Sequence, residues 1–312
     1  MTNQLNLFNV SDAASIMGRK GGQSTSAAKA TAARANGSLG GRPKSAITFN
    51  PDGISIAGCS IIYAPAGQAE EYAALATNPY RGCGHACAYC YVPNVLRMSR
   101  QDFDAGATPR PDFIERLRRD ADLYRKASVT EQVLMSFTTD VFNPFDMSLT
   151  IPAIEVLIQH GLAFCTLTKG GSRAMTAIDL FRPERDAFAT TLTSLDDSFS
   201  QKWERGAALP GDRIETLKRF HERGVFTWVS LEPTLDVVAS LSIIERTHGF
   251  VDLYKVGRAN YLPMTTTTDW EDYTHRVIDL CAKVGARHYI KRDLQGFLPP
   301  GYHNPLRVPQ HH

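Results

Sequence analysis

The strongest constraint on the fold is an alternation of short apolar runs and amphipathic segments that begins near Leu75 and continues to Leu294. Runs rich in β-branched and aromatic residues predict strands at Val133–Thr138, Ala163–Thr168, Ala187–Thr193, Phe226–Leu231, Asp252–Val256 and His288–Lys291. Between them, helices are expected at Pro111–Ala127, Ser148–His160, Ser172–Phe181, Gly211–Arg223, Asp236–His248 and Asp269–Val284. In the first of these helices, Phe113, Leu117, Ala121 and Tyr124 recur at near-helical spacing with charges between them. Ile214, Leu217 and Phe220 repeat the pattern, and Gly224 marks an end. The Ser148 and Asp236 helices open on residues suited to capping free N–H groups. Strands alternating with helices predict an α/β fold with a parallel sheet covered by helices. Six or seven such units can close fully or partly into a barrel, where chemistry sits at the carboxyl ends of the strands.

The chain divides by composition. Residues 1–46 are rich in Ala, Gly and Ser, carry few large apolar side chains and cannot bury a core. They read as a disordered basic arm, with a transient helix expected around Thr25–Ala35. Residues 47–74 read as an extension packing on the core, 75–294 as the core itself and 295–312 as a tail. Net charge over the whole chain is only +2. The first fifty residues nevertheless hold Arg19, Lys20, Lys29, Arg34, Arg42 and Lys44 against the single acid Asp12. The first fifteen residues lack the charged start and apolar core of a secretory signal, and no apolar run has the length of a membrane helix. A cytoplasmic protein is therefore expected. In a reducing compartment, clustered cysteines point to metal rather than to disulfides.

Three of the six cysteines lie in Asn78-Pro-Tyr-Arg-Gly-Cys83-Gly-His-Ala-Cys87-Ala-Tyr-Cys90-Tyr, spaced C-x3-C-x2-C. Thiolates are the usual protein ligands of iron–sulfur clusters. Three of them on one loop leave one iron of a cubane open to a small molecule. Zinc, with His85 as the fourth ligand, is the competing reading of these residues. Cys59, Cys165 and Cys281 are dispersed and read as small buried hydrophobes, so a single cluster is expected.

The motif, with Tyr89 before its last cysteine, is the signature of radical S-adenosylmethionine (SAM) enzymes. The surrounding residues resemble the spore-photoproduct-lyase-like branch of that superfamily. The resemblance runs from about Ile62 to Leu294 and includes the Ala-Glu-Tyr run near Glu70–Ala73. It also takes in Thr138-Thr-Asp140-Val-Phe-Asn-Pro-Phe-Asp146, Leu167-Thr-Lys169, Thr191-Leu-Thr-Ser-Leu-Asp196 and Trp203-Glu-Arg-Gly-Ala207 followed by Arg213. It implies a partial (β/α)6-type barrel. It also implies a [4Fe–4S] cluster on Cys83, Cys87 and Cys90 that reductively cleaves SAM to a 5′-deoxyadenosyl radical for hydrogen abstraction. An electron donor such as flavodoxin or ferredoxin is implied as partner. Lys169 would meet the SAM carboxylate. Thr138, Thr139 and Asp140 would accept from its amine, Thr191 and Thr193 would meet the ribose, and Tyr89 would lie near the adenine.

Arg173, Asp179, Glu204, Arg213, Glu232 and Asn260 lie at or beyond strand ends, where residues can face substrate. Glu232 closes the run WVSLE, which aims it at the barrel mouth. Spore photoproduct lyase carries a hydrogen-donating cysteine just before its T-S-D segment. Phe137 stands there in this chain, so the resemblance implies the cofactor machinery without that repair reaction. The basic arm suggests a nucleic-acid substrate, because scattered Lys and Arg neutralise phosphates without reading sequence. The other readings are a radical SAM enzyme acting on a peptide or small metabolite and a non-catalytic metal-binding module associated with DNA.

Overall fold

The structure, a computed structural model, describes residues 46–304 together with Ala27 and Thr31. The basic arm otherwise lies outside the described residues. Ala27 and Thr31 are helical and joined by a 2.8 Å hydrogen bond, inside the segment where a helix is expected.

Seven parallel strands form the main sheet: β1 (Leu75–Thr77), β4 (Val133–Met135), β5 (Phe164–Thr168), β6 (Ala187–Thr191), β7 (Phe226–Thr234), β8 (Leu253–Arg258) and β9 (His288–Ile290). They are ordered as in the sequence, each pairing in parallel with the next. A small antiparallel pair, β2 (Tyr80–Arg81) with β3 (Thr108–Pro109), lies in the long connection after β1. The helices are α1 (Val92–Leu96), α2 (Arg100–Asp104), α3 (Phe113–Lys126), α4 (Thr150–Gln159), α5 (Asp197–Trp203), α6 (Pro210–Glu222), α7 (Val237–Thr247), α8 (Met264–Thr267) and α9 (Trp270–Val284). No pairing joins β1 to β9 among the described residues, so the barrel is partial. No helix among those residues is long and apolar enough to cross a membrane.

All six expected strands form. The helix expected at Ser172–Phe181 is instead a 3-10 segment, Gly171–Leu180. Asp236 caps α7 through the N–H groups of Val238 and Ala239, as its position implies. Ser148 caps nothing: α4 begins two residues later, after Leu149. Strand β1, the β2–β3 pair and α5 were not legible, since each is too short for a periodic pattern.

Strand alternation sorts the side chains into two layers. Leu75, Val133, Met135, Phe164, Phe188, Val229, Tyr254, Val256 and Ile290 meet the helices in the larger core. There Phe188 stacks on Phe220 of α6 with ring centroids 3.8 Å apart. The opposite parity, Ala76, Leu134, Cys165, Ala187, Ala189, Trp228, Leu253 and Tyr289, forms a second apolar layer on the enclosed face. Small residues on the central strands leave room for Trp228, whose indole N–H donates to the Cys165 sulfur at 3.2 Å. Residues ahead of β1 pack on α3. The Asp120 carboxylate accepts from the N–H groups of Ser60 and Ile61 at 2.9 and 2.8 Å.

Side chains span the gap between β1 and β9. The 3-10 segment Gly67–Glu71 ends on a fully buried carboxylate, Glu71, which accepts from the Tyr289 hydroxyl at 3.0 Å and the Arg292 N–H at 2.7 Å. Lys255 of β8 donates to the carbonyls of Glu71 and Tyr72 at 3.1 and 2.8 Å and lies 4.7 Å from the Trp228 ring centroid. Burial pulls the Lys255 ammonium from its ordinary 10.5 to about 7. The folded chain therefore releases a proton that the unfolded chain keeps, and stability rises with pH between those values. Chemical denaturation at pH 7 and pH 9 should show a gain of roughly 1–2 kcal/mol over that interval. In Lys255→Met that gain should vanish.

Candidate active site at the carboxyl ends of the strands

The cysteine loop leaves β2 and is cradled by backbone. Gly82 has φ +86°, and a Cβ there would lie 2.2 Å from the Gly106 carbonyl oxygen. A Cβ on Gly206 would lie 2.0 Å from the Gly84 carbonyl oxygen. The Cys83 N–H donates to the Phe103 carbonyl at 2.9 Å, and the Thr139 hydroxyl donates to that of Gly82 at 2.7 Å. Cys87 and Glu204 form a bridge between their segments. From outside, the Arg100 guanidinium donates to the carbonyls of Cys87 (3.0 Å), Ala88 (3.4 Å) and Cys90 (2.8 Å).

The three thiols are free and share one another's fields. Burial pushes all three up, Cys87 to about 12, and neighbouring thiolates and carboxylates add to the shift at Cys83 and Cys87. Lys169 works against the shift at Cys87 and Cys90. Thiols in such a place ionise only with strong positive charge beside them, which is what bound iron supplies. His85 is committed elsewhere: its Nδ1 lies 3.2 Å from Asp140 and its Nε2 accepts from Arg173 at 3.2 Å. No three Cys, His, Asp or Glu side chains among the described residues converge on a single ion. With His85 so engaged, zinc would lack the fourth ligand the sequence offered it, whereas three cysteines are the set an iron–sulfur cluster takes here.

Asp140, expected to meet the SAM amine, is saturated by the protein. One carboxylate oxygen accepts from the Phe142 N–H and the Thr168 hydroxyl, at 2.9 and 2.7 Å. The other accepts from the Lys169 N–H at 2.8 Å and faces His85. Burial favours its neutral form, but His85, Thr168 and the Lys169 N–H together hold it well below the carboxylate range. Asp140 thus ties the cysteine loop to the end of β5.

Glu204 and Arg213 form the second tie, a fully buried ion pair 2.5 Å apart. Arg213 also donates to the carbonyls of Ala208 and Thr191 at 2.7 and 3.0 Å. The Tyr89 hydroxyl donates to Glu204, so the ring expected near adenine is anchored by its polar end. The Lys169 ammonium lies 5.7 Å from the Tyr89 ring centroid and makes no ion pair or hydrogen bond among the described residues. Although burial opposes it, the nearby Cys87 and Glu204 hold the Lys169 ammonium above its ordinary value.

On the enclosed face, polarity rises toward the carboxyl ends. Above Ala187 and Ala189 come Thr191 and Thr193. Above Trp228 come Ser230 and Glu232, and above Tyr289 comes Lys291. Among the described residues the hydroxyls of Thr138 and Thr193 are buried without a hydrogen-bond partner, as are those of Thr77 and Thr166. Orphaned hydroxyls are rare in native interiors and mark places where a polar ligand completes the set.

Opposite the cysteines, Glu232 accepts from the Tyr72 hydroxyl and from Lys291 through one oxygen, and its other oxygen makes no hydrogen bond among the described residues. A Cβ on Gly257 would crowd Glu232 at 2.9 Å. Tyr91, the residue after Cys90, feels the Glu232 charge, so both sides face one mouth. Sequence reasoning singled out Glu232 but assigned no role to Glu71, Tyr72, Lys255 or Lys291. The Ala-Glu-Tyr run near Glu70–Ala73 signalled Glu71 and Tyr72, while Lys255 and Lys291 lay within expected strands. Asn260 pairs with Arg258 and Asp293, and Asp179 makes only a surface ion pair with Arg223.

The radical SAM superfamily model matches residues 77–235, just over half of the chain. The chain belongs to the radical SAM superfamily. Members of that superfamily use a [4Fe–4S] cluster and SAM. No curated protein matches the sequence. Streptococcus suis SuiB is similar in fold at 14% identity, with TM-score 0.54 over 72% of this chain and 50% of SuiB. SuiB bound to S-adenosylmethionine aligns at TM-score 0.53 and 14% identity, over 72% of this chain and 52% of SuiB. This chain thus spans about half the length of the SuiB structures. A spore photoproduct lyase mutant with a dinucleoside spore photoproduct aligns at TM-score 0.56 and 11% identity, over 76% of this chain and 80% of that one.

Gly206→Ala should force the cysteine loop away from its seat, because the new methyl meets backbone rather than a movable side chain. Iron per chain after anaerobic reconstitution should fall at least severalfold while far-ultraviolet circular dichroism stays as in the parent. Full iron content would place the loop's anchorage elsewhere.

Proposed function

We propose that Cys83, Cys87 and Cys90 hold three irons of a [4Fe–4S] cluster and that the polar end of the enclosed face binds SAM. The observation that carries this reading is the unpaired Lys169 ammonium beside Cys87, at the same end as the orphaned hydroxyls of Thr138 and Thr193. When bound, the two cofactors supply one electron and a carbon-centred radical that abstracts hydrogen from an unactivated carbon. Lys169 receives the SAM carboxylate. Thr138 accepts from its amine, with Thr139 beside it holding the loop at Gly82. Thr193 and Thr191 meet the ribose hydroxyls. Asp140 and Tyr89 act one step back: the first fixes His85 and the Lys169 backbone, the second lies beneath the ammonium and leans on Glu204.

Substrate then enters at the Glu232 side of the mouth, where the free carboxylate oxygen accepts a hydrogen bond and Tyr72 and Lys291 hold the carboxylate in place. Anaerobic reconstitution followed by dithionite tests the assignment. The parent should turn brown and release 5′-deoxyadenosine from SAM, and Cys87→Ala should do neither. Lys169→Met should keep its iron but bind SAM roughly 10- to 100-fold more weakly in equilibrium dialysis, the loss expected for one charge-assisted hydrogen bond. Unchanged SAM affinity would remove Lys169 from the site.

For the substrate we infer a nucleic acid, on the strength of six basic residues and one acid in the first fifty positions. Affinity for single- and double-stranded oligonucleotides should fall steeply with salt and disappear on deleting residues 1–46. Salt-insensitive binding, or none in the full chain, points instead to a peptide or small metabolite.

A further inference from the structure

We propose that Arg81, Arg110 and Arg116 form a phosphate-binding site on the rim of the barrel mouth, which holds a phosphate group of the substrate. The proposal deepens the nucleic-acid reading above and places part of the binding in the folded core, outside the basic first fifty residues.

The site is built by the antiparallel pair of β2 and β3 and by the start of α3. Register sets Arg81 opposite Thr108 and Tyr80 opposite Pro109, and the Arg110 N–H continues the ladder with a 2.9 Å bond to the Pro79 carbonyl. Alternation therefore puts Arg81 and Arg110 on one face. The other face turns Tyr80 into the core, where its hydroxyl accepts from the Leu149 N–H at 2.8 Å. Neutral acceptors hold all three guanidinium groups. Arg81 donates to the Met98 sulfur (3.2 Å) and the Leu96 carbonyl (3.4 Å), Arg110 to the Tyr80 carbonyl (3.3 Å) and Arg116 to the Ser60 hydroxyl (2.7 Å). None of the three meets a carboxylate among the described residues. By contrast, Arg125, Arg219, Arg223 and Arg276 each reach an aspartate or glutamate.

Arg110 is half-buried. Burial and the charges of Arg81 and Arg116 lower its guanidinium from the ordinary value, which also shows that the three share one field. Like charges gathered without a counterion are destabilising, and an anion among them offsets the repulsion. A guanidinium carries five N–H donors, and these groups have committed only one or two each. Phosphate oxygens accept such forks.

The rim leads to the mouth. The charge of Arg110 reaches Tyr63, whose hydroxyl accepts from Asn78 at 2.7 Å. Asn78 in turn accepts from the N–H groups of Phe137 and Thr138, both at 2.8 Å. Tyr91, 57% exposed, lies in the fields of both Tyr63 and Glu232. A nucleotide with its phosphate on the arginines has an exposed ring for its base to stack on and, beyond it, the free Glu232 oxygen. A peptide carboxylate would use the arginines and leave that ring idle.

The test uses the full chain, with variants compared at matched far-ultraviolet circular dichroism. Calorimetry with inorganic phosphate and with a nucleoside 5′-monophosphate should show binding in the parent. Arg110→Gln/Arg116→Gln should raise both Kd values about tenfold, and Arg110→Lys/Arg116→Lys should fall between. Arg219→Gln/Arg276→Gln, which removes the same charge from α6 and α9, should bind as the parent does. For a short single-stranded oligonucleotide, the first variant should lower the salt dependence of log Kd by about one. No binding of either small anion in the parent overturns the proposal. So does parent-like binding in Arg110→Gln/Arg116→Gln, or an equal loss in the α6 and α9 variant. Small phosphates held through these arginines, with no oligonucleotide affinity, keep the site for a free nucleotide and end the nucleic-acid reading instead.

Discussion

The buried pair of Glu204 and Arg213 is the interaction on which the site's arrangement depends. Both groups are wholly removed from water, a state that is costly unless every donor and acceptor is answered. Here they are answered by parts of the site itself: the Tyr89 hydroxyl, the Ser200 hydroxyl and the carbonyls of Thr191 and Ala208. One ion pair thereby joins the cysteine loop, the end of β6 and the start of α6. Its own energy need not be large. Losing either partner would strand a buried charge, so the three segments keep their places together.

Asp140 performs the same service on the other side of the loop, through His85 and the backbone of Lys169. Asp140 accepts from the Lys169 backbone N–H, and neither carboxylate makes an ion pair with the Lys169 ammonium. Its ammonium makes no ion pair or hydrogen bond among the described residues and lies 5.7 Å from the Tyr89 ring centroid. A cation kept available in this way, beside thiols that burial keeps protonated, describes a place prepared for negative charge and for metal.

The far wall is organised differently. Tyr72 and Glu71 come from the segment before β1, and Glu232, Lys255 and Lys291 from the last three strands or just beyond; together they close the gap that backbone pairing leaves between β1 and β9. That contact accounts for the depressed Lys255 ammonium: a lysine recruited to seal a barrel edge sits on the Trp228 face, and burial outweighs the two carbonyls it reaches. It also gives Glu232 a fixed oxygen and a free one.

Legibility followed the range of the interactions. The six expected strands and the C-x3-C-x2-C loop were readable because hydrophobic period and ligand spacing are local, and alternation alone puts Thr191 and Thr193 on one face. Asp140 and Tyr89 were placed near SAM by resemblance alone, and their bonds to Thr168 and Glu204, 28 and 115 residues away, were not legible. Strand β1, three residues, lies in no apolar run long enough to mark it, and the ten-residue 3-10 segment after β5 reads as an α-helix because periods of 3.0 and 3.6 barely separate over that length. By itself the sequence determined the parallel α/β barrel, the trio of cysteines and the superfamily chemistry, since each is written in patterns spanning only a few residues. Tertiary structure alone decided which charged groups are spent on holding the loop and which stay free to act. That division depends on burial and on partners that only the folded chain brings within hydrogen-bond reach.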